Sequence, residues 1–368
     1  MRERLDALTG LRALAALAVV LFHLNEAVFP TLGLPGYVPA MACFYLGVDL
    51  FFILSGFVLM HVHSEDFRTL APSAIGRFLG LRLARIYPVH LAMMLGFLVL
   101  VVGVAHLPAG VPIAIDSGGR YSVGGFFRHI FLVEWFHLSW NFPAWSVGAE
   151  WTAYLAFPLL TLLFRRMIRA GWCSVLLLGI LALYAAVYAL VLGYSLDELC
   201  LWRVCFEFPA GCVLYRLSQS AAVAARRWVP LAVFGAAAAG AVLAFDTAWR
   251  DLAVVVLLWS IVWVCGDSRG NAVSHCLEAR PLVWLGEVSY SVYMVQALVQ
   301  GTAGRVFAAL QPHLPMPARY ALVPLAVGCV VIAGAAVHAW IERPARDVLR
   351  RRLLAPRRAA PIALEPAE

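Results

Sequence analysis

Long apolar stretches separated by short polar ones run the whole length of the chain. Each stretch is of the order of the about 20 residues that one helical membrane crossing needs. Ten of them fall near residues 8–27, 41–61, 87–106, 142–164, 173–193, 199–217, 229–246, 251–266, 281–303 and 320–341. The pattern predicts an all-α polytopic membrane protein with about ten transmembrane helices. Arginine placement orients it. With the N-terminus in the cytoplasm, 21 of the 28 basic residues fall in cytoplasmic segments and six in outer ones, Arg12 being the last. That bias predicts that both termini are cytoplasmic. Residues 1–346 read as one transmembrane domain and 347–368 as a basic cytoplasmic tail.

Composition agrees with the pattern. Of 368 residues, 63% are hydrophobic and 13% charged, where a soluble domain has about a quarter charged. The net charge of +7 follows membrane topology and does not by itself point to nucleic acid. Every basic residue is arginine, which excludes a lysine Schiff base or a P-loop lysine. The eight cysteines have neither zinc nor thioredoxin spacing and read as small buried hydrophobes. No metal site is expected, no cleaved signal peptide is recognisable and no internal repeat stands out.

Against this apolar background the ionisable residues carry the information, because a charge inside a bilayer is costly and points into protein or a water-filled cavity. Arg12 and His23 lie eleven residues apart in Leu8–Ala27. At about 100° and 1.5 Å per residue they share one helical stripe, about 16 Å apart. The bland alternative is a snorkelling arginine and an interfacial histidine. Asp49 falls near mid-membrane in GVDLFFILSGFVLM, either as a functional carboxylate or as a charge partner locking two helices together. Glu150 lies about eight residues into the fourth crossing, so Asp49, Glu150 and His23 are expected to converge in one bundle. Between the second and third crossings, IGRFLGLRLARIYP places Arg77, Arg82 and Arg85 on a short amphipathic run before Pro88. Arg82 and Arg85 are three apart and so side by side. They read either as plain positive-inside charge or as fork-shaped donors for an anionic cofactor. Leu107–Asn141 is the longest outer loop, polar and then aromatic, with His129 and His137 read as interfacial. Glu207 beside Pro209 is open between function and packing. The seventh crossing, rich in alanine and glycine, is expected to pack closely.

These motifs, in this order, resemble the acyltransferase family 3 integral membrane proteins, which include bacterial surface-polysaccharide O-acetyltransferases. The resemblance runs from Leu5 to about Arg346. It rests on Arg12 and His23, on LGVDLFFILSGF from Leu46 to Phe57, and on Arg82 and Arg85 with Tyr87 and Pro88. Trp145, Ser146 and Glu150 continue it, and Glu342, Pro344 and Arg346 close it loosely. Gln296 departs from a histidine common at that point of the family.

The resemblance implies a multi-pass protein of the bacterial inner membrane that takes an acetyl group from cytoplasmic acetyl-CoA and places it on a sugar hydroxyl. The acceptor would be a glycan or lipid-linked glycan of exopolysaccharide or lipopolysaccharide, or a small glycosylated metabolite. His23 is then the expected base, with Asp49, Glu150 and Arg12 around it. Arg77, Arg82, Arg85 and Tyr87 are the expected cofactor-binding group. Ser146 is a poor nucleophile candidate, and direct transfer is preferred to an acyl-enzyme. A glycan or solute transporter and a silent scaffold or sensor are the competing readings.

Overall fold

The computed structural model describes residues 5–106, 121–134, 140–167, 169–191, 193, 200–226, 228–266 and 270–354, which form helices and connecting turns with no strand among them. The ten apolar stretches each become a helix. These are α1 (Asp6–Ala27), α2 (Gly47–His63), α3 (Pro72–Ala105), and then, after the short α4 (Val123–Ile130), α5 (Ala144–Phe164), α6 (Ala170–Leu190) and α7 (Cys200–Ser218). Beyond these come α8 (Trp228–Leu243), α9 (Arg250–Cys265), α10 (Arg280–Gly301), the short α11 (Ala303–Leu310), α12 (Met316–Val337) and α13 (Arg343–Leu354). Seven membrane-length apolar helical stretches are present among the described residues: Asp6–Ala27, Pro39–His63, Pro72–Val104, Ala144–Phe164, Ala170–Leu190, Arg280–Gly301 and Met316–Leu354. The protein is an all-α polytopic membrane protein.

Helices α1, α2 and α10 form the middle of the bundle. Helix α2 packs along α7 and α5, and α1 packs along α10, which in turn carries α12 and α3. Glycine permits the two tightest crossings. A β-carbon on Gly211 of α7 would strike the Ile53 carbonyl of α2, and one on Gly56 would strike the Phe208 carbonyl. At the other crossing, Gly286 of α10 leaves room for the Thr9 carbonyl of α1. Peripheral helices show the reverse pattern, with Val175, Leu178 and Leu183 of α6 and Val242 and Leu243 of α8 exposed. A bilayer solvates such surface as readily as protein does.

Three expectations change. Helix α3 is one continuous 34-residue helix with Pro88 inside it, not a short amphipathic run followed by a separate crossing. Proline removes one ladder hydrogen bond, but ending the helix within a membrane would strand more backbone groups than that. The small residues of α8 do not produce a close approach at its glycines, since nothing lies within 4 Å of a β-carbon built on Gly235 or Gly240. Of the described cysteines, Cys43, Cys173, Cys212 and Cys265 are buried as expected, whereas Cys205 and Cys276 are exposed.

Most of the long Leu107–Asn141 loop, including His137, lies outside the described residues, as does the tail beyond Leu354. The described part of the loop holds α4. Its first turn is capped by Ser122, whose side chain accepts from the Gly125 amide at 3.1 Å. That helix turns His129 inward and leaves Phe127 exposed. Helix α13, the start of the basic tail, packs back on α3, with Leu353 against Gly80.

Candidate active site

Four of the ionisable residues singled out above meet. Arg12 of α1, Arg82 and Arg85 of α3 and Glu150 of α5 line one cavity of about 150 Å³, closed by Phe51, Phe52 and Ser55 of α2 and by Tyr290 and Tyr293 of α10. Glu150 closes the second turn of α5, and its Oε1 accepts from Ser55 Oγ at 2.6 Å and from the hydroxyl of Tyr154, one turn further on. Arg12 lies within electrostatic reach of Glu150, Arg85 and Glu342. The Arg82 guanidinium sits 5.7 Å from the centre of the Phe78 ring. Because α3 is unbroken, Arg82 and Arg85 stand inside the bundle and not on an interfacial segment. Tyr290 ties α10 to the same stretch by donating to the Ile86 carbonyl at 2.6 Å. The result is three guanidinium groups and one carboxylate in a cavity with largely apolar and tyrosine walls.

Ser146 also reaches this cavity. Its hydroxyl lies 3.0 Å from the Pro143 carbonyl, to which it donates, and 2.8 Å from the Tyr293 hydroxyl. Arg77 is exposed nearer the start of α3, and Tyr87 is half-buried with its ring tilted against His90. Neither lines the cavity.

Asp49 goes elsewhere. Arg203 of α7 donates to it through Nε at 2.9 Å and through Nη2, a two-point ion pair with both side chains buried. The guanidinium carbon lies 5.2 Å from the Trp145 ring centre and 5.7 Å from that of Tyr45. One turn along α7, Glu207 accepts from the Tyr184 hydroxyl at 2.8 Å. The expected convergence of Asp49 with Glu150 and His23 is therefore not what the packing produces. Arg203, one of the six arginines counted with the outer segments, lies within α7 and takes the Asp49 carboxylate.

His23 stands three turns beyond Arg12 on α1, with its ring edge-on to Phe142 at 4.6 Å and to Phe22 at 5.2 Å. Phe142 lines a second cavity of about 910 Å³, together with Ala27, Phe97, Tyr121, Trp140 and Gln300. The two cavities are stacked along the same elements. From the first to the second, α1 contributes Arg12 then Ala27, α3 Arg85 then Phe97, and α10 Tyr293 then Ala297. His23 touches the wall of the second at Phe142, four residues before Ser146 of the first.

A family described as an acyltransferase domain matches residues 5–340. The chain belongs to this family. Acyltransferase MdmB of Streptomyces mycarofaciens is 27% identical over 388 aligned positions, covering 95% of this chain and 93% of that protein. Protein 2 in picA locus, from Rhizobium radiobacter, is 32% identical over 163 positions, covering 41% of this chain and 76% of its own. Peptidoglycan O-acetyltransferase OatA of Listeria monocytogenes is 22% identical over 331 positions. Those cover 80% of this chain and 49% of OatA, so the chain spans about half of that relative's length. No solved structure matches significantly. With its membrane-length apolar helices, the chain is a membrane acyltransferase.

Several groups around this acyltransferase's charged cavity were not singled out from sequence. Ser55, Tyr154, Tyr290 and Tyr293 carry hydroxyls, which are ordinary in apolar helices and give no cost signal. Glu342, matched only loosely above, is buried at the π-helical turn His338–Glu342. It accepts from Ser291 at 2.7 Å and pairs with His338 Nδ1 at 3.0 Å, joining α10 to the end of α12.

Proposed function

We propose that this acyltransferase moves an acetyl group from cytoplasmic acetyl-CoA to a sugar hydroxyl of an exopolysaccharide or lipopolysaccharide, across a bacterial inner membrane with both its termini cytoplasmic. The observation that carries the reading is the enclosed cluster of Arg12, Arg82, Arg85 and Glu150, in a chain matching an acyltransferase domain over residues 5–340. Three guanidinium groups against one carboxylate leave a positive field, and arginine's fork of donors suits phosphate oxygens. The pantetheine arm of the donor threads this cavity and delivers the thioester toward His23. The nucleotide then sits towards the start of α3, where exposed Arg77 extends the basic track. Tyr87, two residues past Arg85, borders the same stretch of α3.

His23 is the general base. A neutral imidazole can accept a hydroxyl proton. The hydroxyl oxygen bonds to the thioester carbonyl carbon while its proton passes to His23. The carbon–sulfur bond then breaks, and the leaving thiolate takes that proton back, giving an ester and a thiol. Arg12, about 16 Å from His23 along α1, neutralises donor charge together with Arg82 and Arg85, and Glu150, held by Ser55 and Tyr154, lies within electrostatic reach of its guanidinium. Asp49 is a positioning residue. Through Arg203 it holds α2, and therefore Ser55, in register with α5.

The test uses purified protein in detergent with radiolabelled acetyl-CoA and a panel of cell-surface glycans and their lipid-linked precursors. Label should reach a glycan with wild type, and folded His23→Ala should lose about 10²–10⁴ of the rate, the range of a general base. Arg82→Gln with Arg85→Gln should weaken acetyl-CoA binding in a folded protein. Equal transfer by wild type and His23→Ala removes His23 as base. Absence of both transfer and acetyl-CoA binding refutes the reaction and favours a transporter.

A further inference from the structure

Helix α10 carries two buried glutamines four residues apart, so Gln296 and Gln300 share one helix face. Gln296 is fully buried and Gln300 is 7% exposed. In both, neither the amide oxygen nor the amide nitrogen has a hydrogen-bond partner among the described residues. Four unpaired polar atoms on one face of a buried helix are unfavourable, and buried amides are nearly always bonded. Gln300 lines the second cavity, whose volume of about 910 Å³ is within the span of about 300–1,000 Å³ common for small-molecule sites. Its other walls combine four aromatic rings, Phe97, Tyr121, Trp140 and Phe142, with aliphatic side chains of α3, α10 and α11. Trp140 is fixed by its indole N–H, which donates to the Ser122 carbonyl at 2.9 Å, and by edge-on contacts with Tyr121 and Phe126 at 5.4 and 5.0 Å. Arg305, a cation on this wall, already has an interaction of its own.

We propose that this cavity is the acceptor site and that Gln300, the glutamine that lines it, holds the hydroxyl edge of a neutral glycosyl ring. The assignment rests on the transfer reaction proposed above, and it adds which residues of the chain recognise the acceptor. A sugar ring presents apolar C–H faces and a rim of hydroxyls. The faces match Trp140, Tyr121 and Phe142. Each hydroxyl both donates and accepts, and a carboxamide offers two donors and an acceptor in return. A lipid tail would satisfy the apolar walls but leave both amide atoms of Gln300 unpaired. Phe142 ties the site to the chemistry, since His23 packs against its ring and so reaches the wall along which the hydroxyl is presented.

The experiment titrates full-length protein in detergent with a panel of neutral 4-nitrophenyl hexopyranosides, following the thermal midpoint, with 4-nitrophenol and acetyl-CoA run in parallel. At least one hexoside should raise the wild-type midpoint saturably where 4-nitrophenol does not. Gln300→Leu should weaken that effect about fivefold, the worth of a neutral hydrogen bond. Its midpoint without ligand should equal or exceed wild type, because the unpaired amide is gone, and its acetyl-CoA shift should be unchanged. The proposal is overturned if no hexoside stabilises wild type, if Gln300→Leu responds as wild type does, or if it loses stability without ligand. Loss of the acetyl-CoA shift in wild type counts against the transfer reaction alone, since the hexoside arm still reports on the cavity.

Discussion

Replacing Asp49 with asparagine strands the Arg203 guanidinium, which is 1% exposed, between α2 and α7 without its two-point partner. Breaking a buried ion pair from one side costs about 3–5 kcal/mol, because the remaining charge has neither water nor a counter-ion. The surroundings put Asp49→Asn at the low end, about 3 kcal/mol. Glu207 stays within electrostatic reach of Arg203, and two aromatic faces lie within 6 Å of it. Arg203→Met should be worse, about 5 kcal/mol, since it leaves Asp49 and Glu207 as neighbouring buried carboxylates with no cation between them. Asp49→Leu combined with Arg203→Met removes both charges, and apolar replacement of a buried pair is neutral or stabilising. The double variant should therefore recover most of the loss but not all of it, because Glu207 still lacks the Arg203 cation, and the coupling should be at least about 2 kcal/mol. Reversible unfolding in mixed detergent, followed by circular dichroism, measures all four corners of the cycle. The double variant should also retain acyl transfer, because neither residue lines the charged cavity. Equal instability of the double and single variants, or an undisturbed Asp49→Asn, would refute the ion-pair assignment. Loss of transfer in a stable double variant would give Asp49 a direct part in the chemistry.

Glu150→Gln keeps an oxygen for Ser55 and Tyr154 but removes the charge facing Arg12. Transfer should fall at least about a hundredfold while the unfolding midpoint hardly moves, and wild-type turnover would remove Glu150 from the site. Gly211→Ala should cost about 1–3 kcal/mol through overpacking against the Ile53 carbonyl. Gly235→Ala, with open space around it, should be neutral or stabilising by up to about 1 kcal/mol, and calorimetry distinguishes them. His129, in α4 outside the membrane spans, has its pKa lowered to about 3 by burial, then by His90 and Arg128. Its folded pKa lies below its unfolded value near 6.5, so its contribution is present above that pH. It is lost as pH falls towards about 3, by up to about 1.4 kcal/mol per unit. Midpoints measured from pH 8 to pH 5 should decline below 6.5 in wild type and decline less in His129→Phe.

The helices were legible because apolar length is set by bilayer thickness, which one sequence records as well as many do. Arg12 and Glu150 were legible for a related reason, since a charge inside an apolar run must find other polar groups. Arg82 and Arg85 were legible as a side-by-side pair from their spacing but were read on a cytoplasmic segment, and the unbroken α3 is what brings them to the other two. Arg203 was not placed correctly, because helix ends read from hydropathy are uncertain by a turn, and one turn separates an interfacial arginine from a buried one. Its spacing from Glu207, four residues within an apolar run, was the available signal. The hydroxyls of Ser55, Tyr154 and Tyr290 left no trace of that kind. Pro88 misled because it ends helices in water, where the freed backbone groups can be solvated, and not in a membrane, where they cannot.

On the mechanism proposed above, acyl transfer between two cavities needs a fixed distance between what holds the donor and what activates the acceptor, since effective molarity collapses when either drifts by about an ångström. Helix α1 supplies that ruler. Arg12 faces the charged cavity, His23 packs on the wall of the aromatic one, and the eleven residues between them rise about 16 Å in a single helix. A helix can still fail as a ruler by rotating about its axis, and the packing opposes rotation from two sides. Gly10 brings α1 against the Leu277 carbonyl of the short helix Ala272–Leu277, and Gly286 brings α10 against the Thr9 carbonyl. Turning α1 by one residue would carry Gly10 out of that contact and press Leu11 or Thr9 into it, where no side chain fits. The same contacts that pack the end of α1 near Arg12 therefore hold both Arg12 and His23 on the stripe that faces the two cavities.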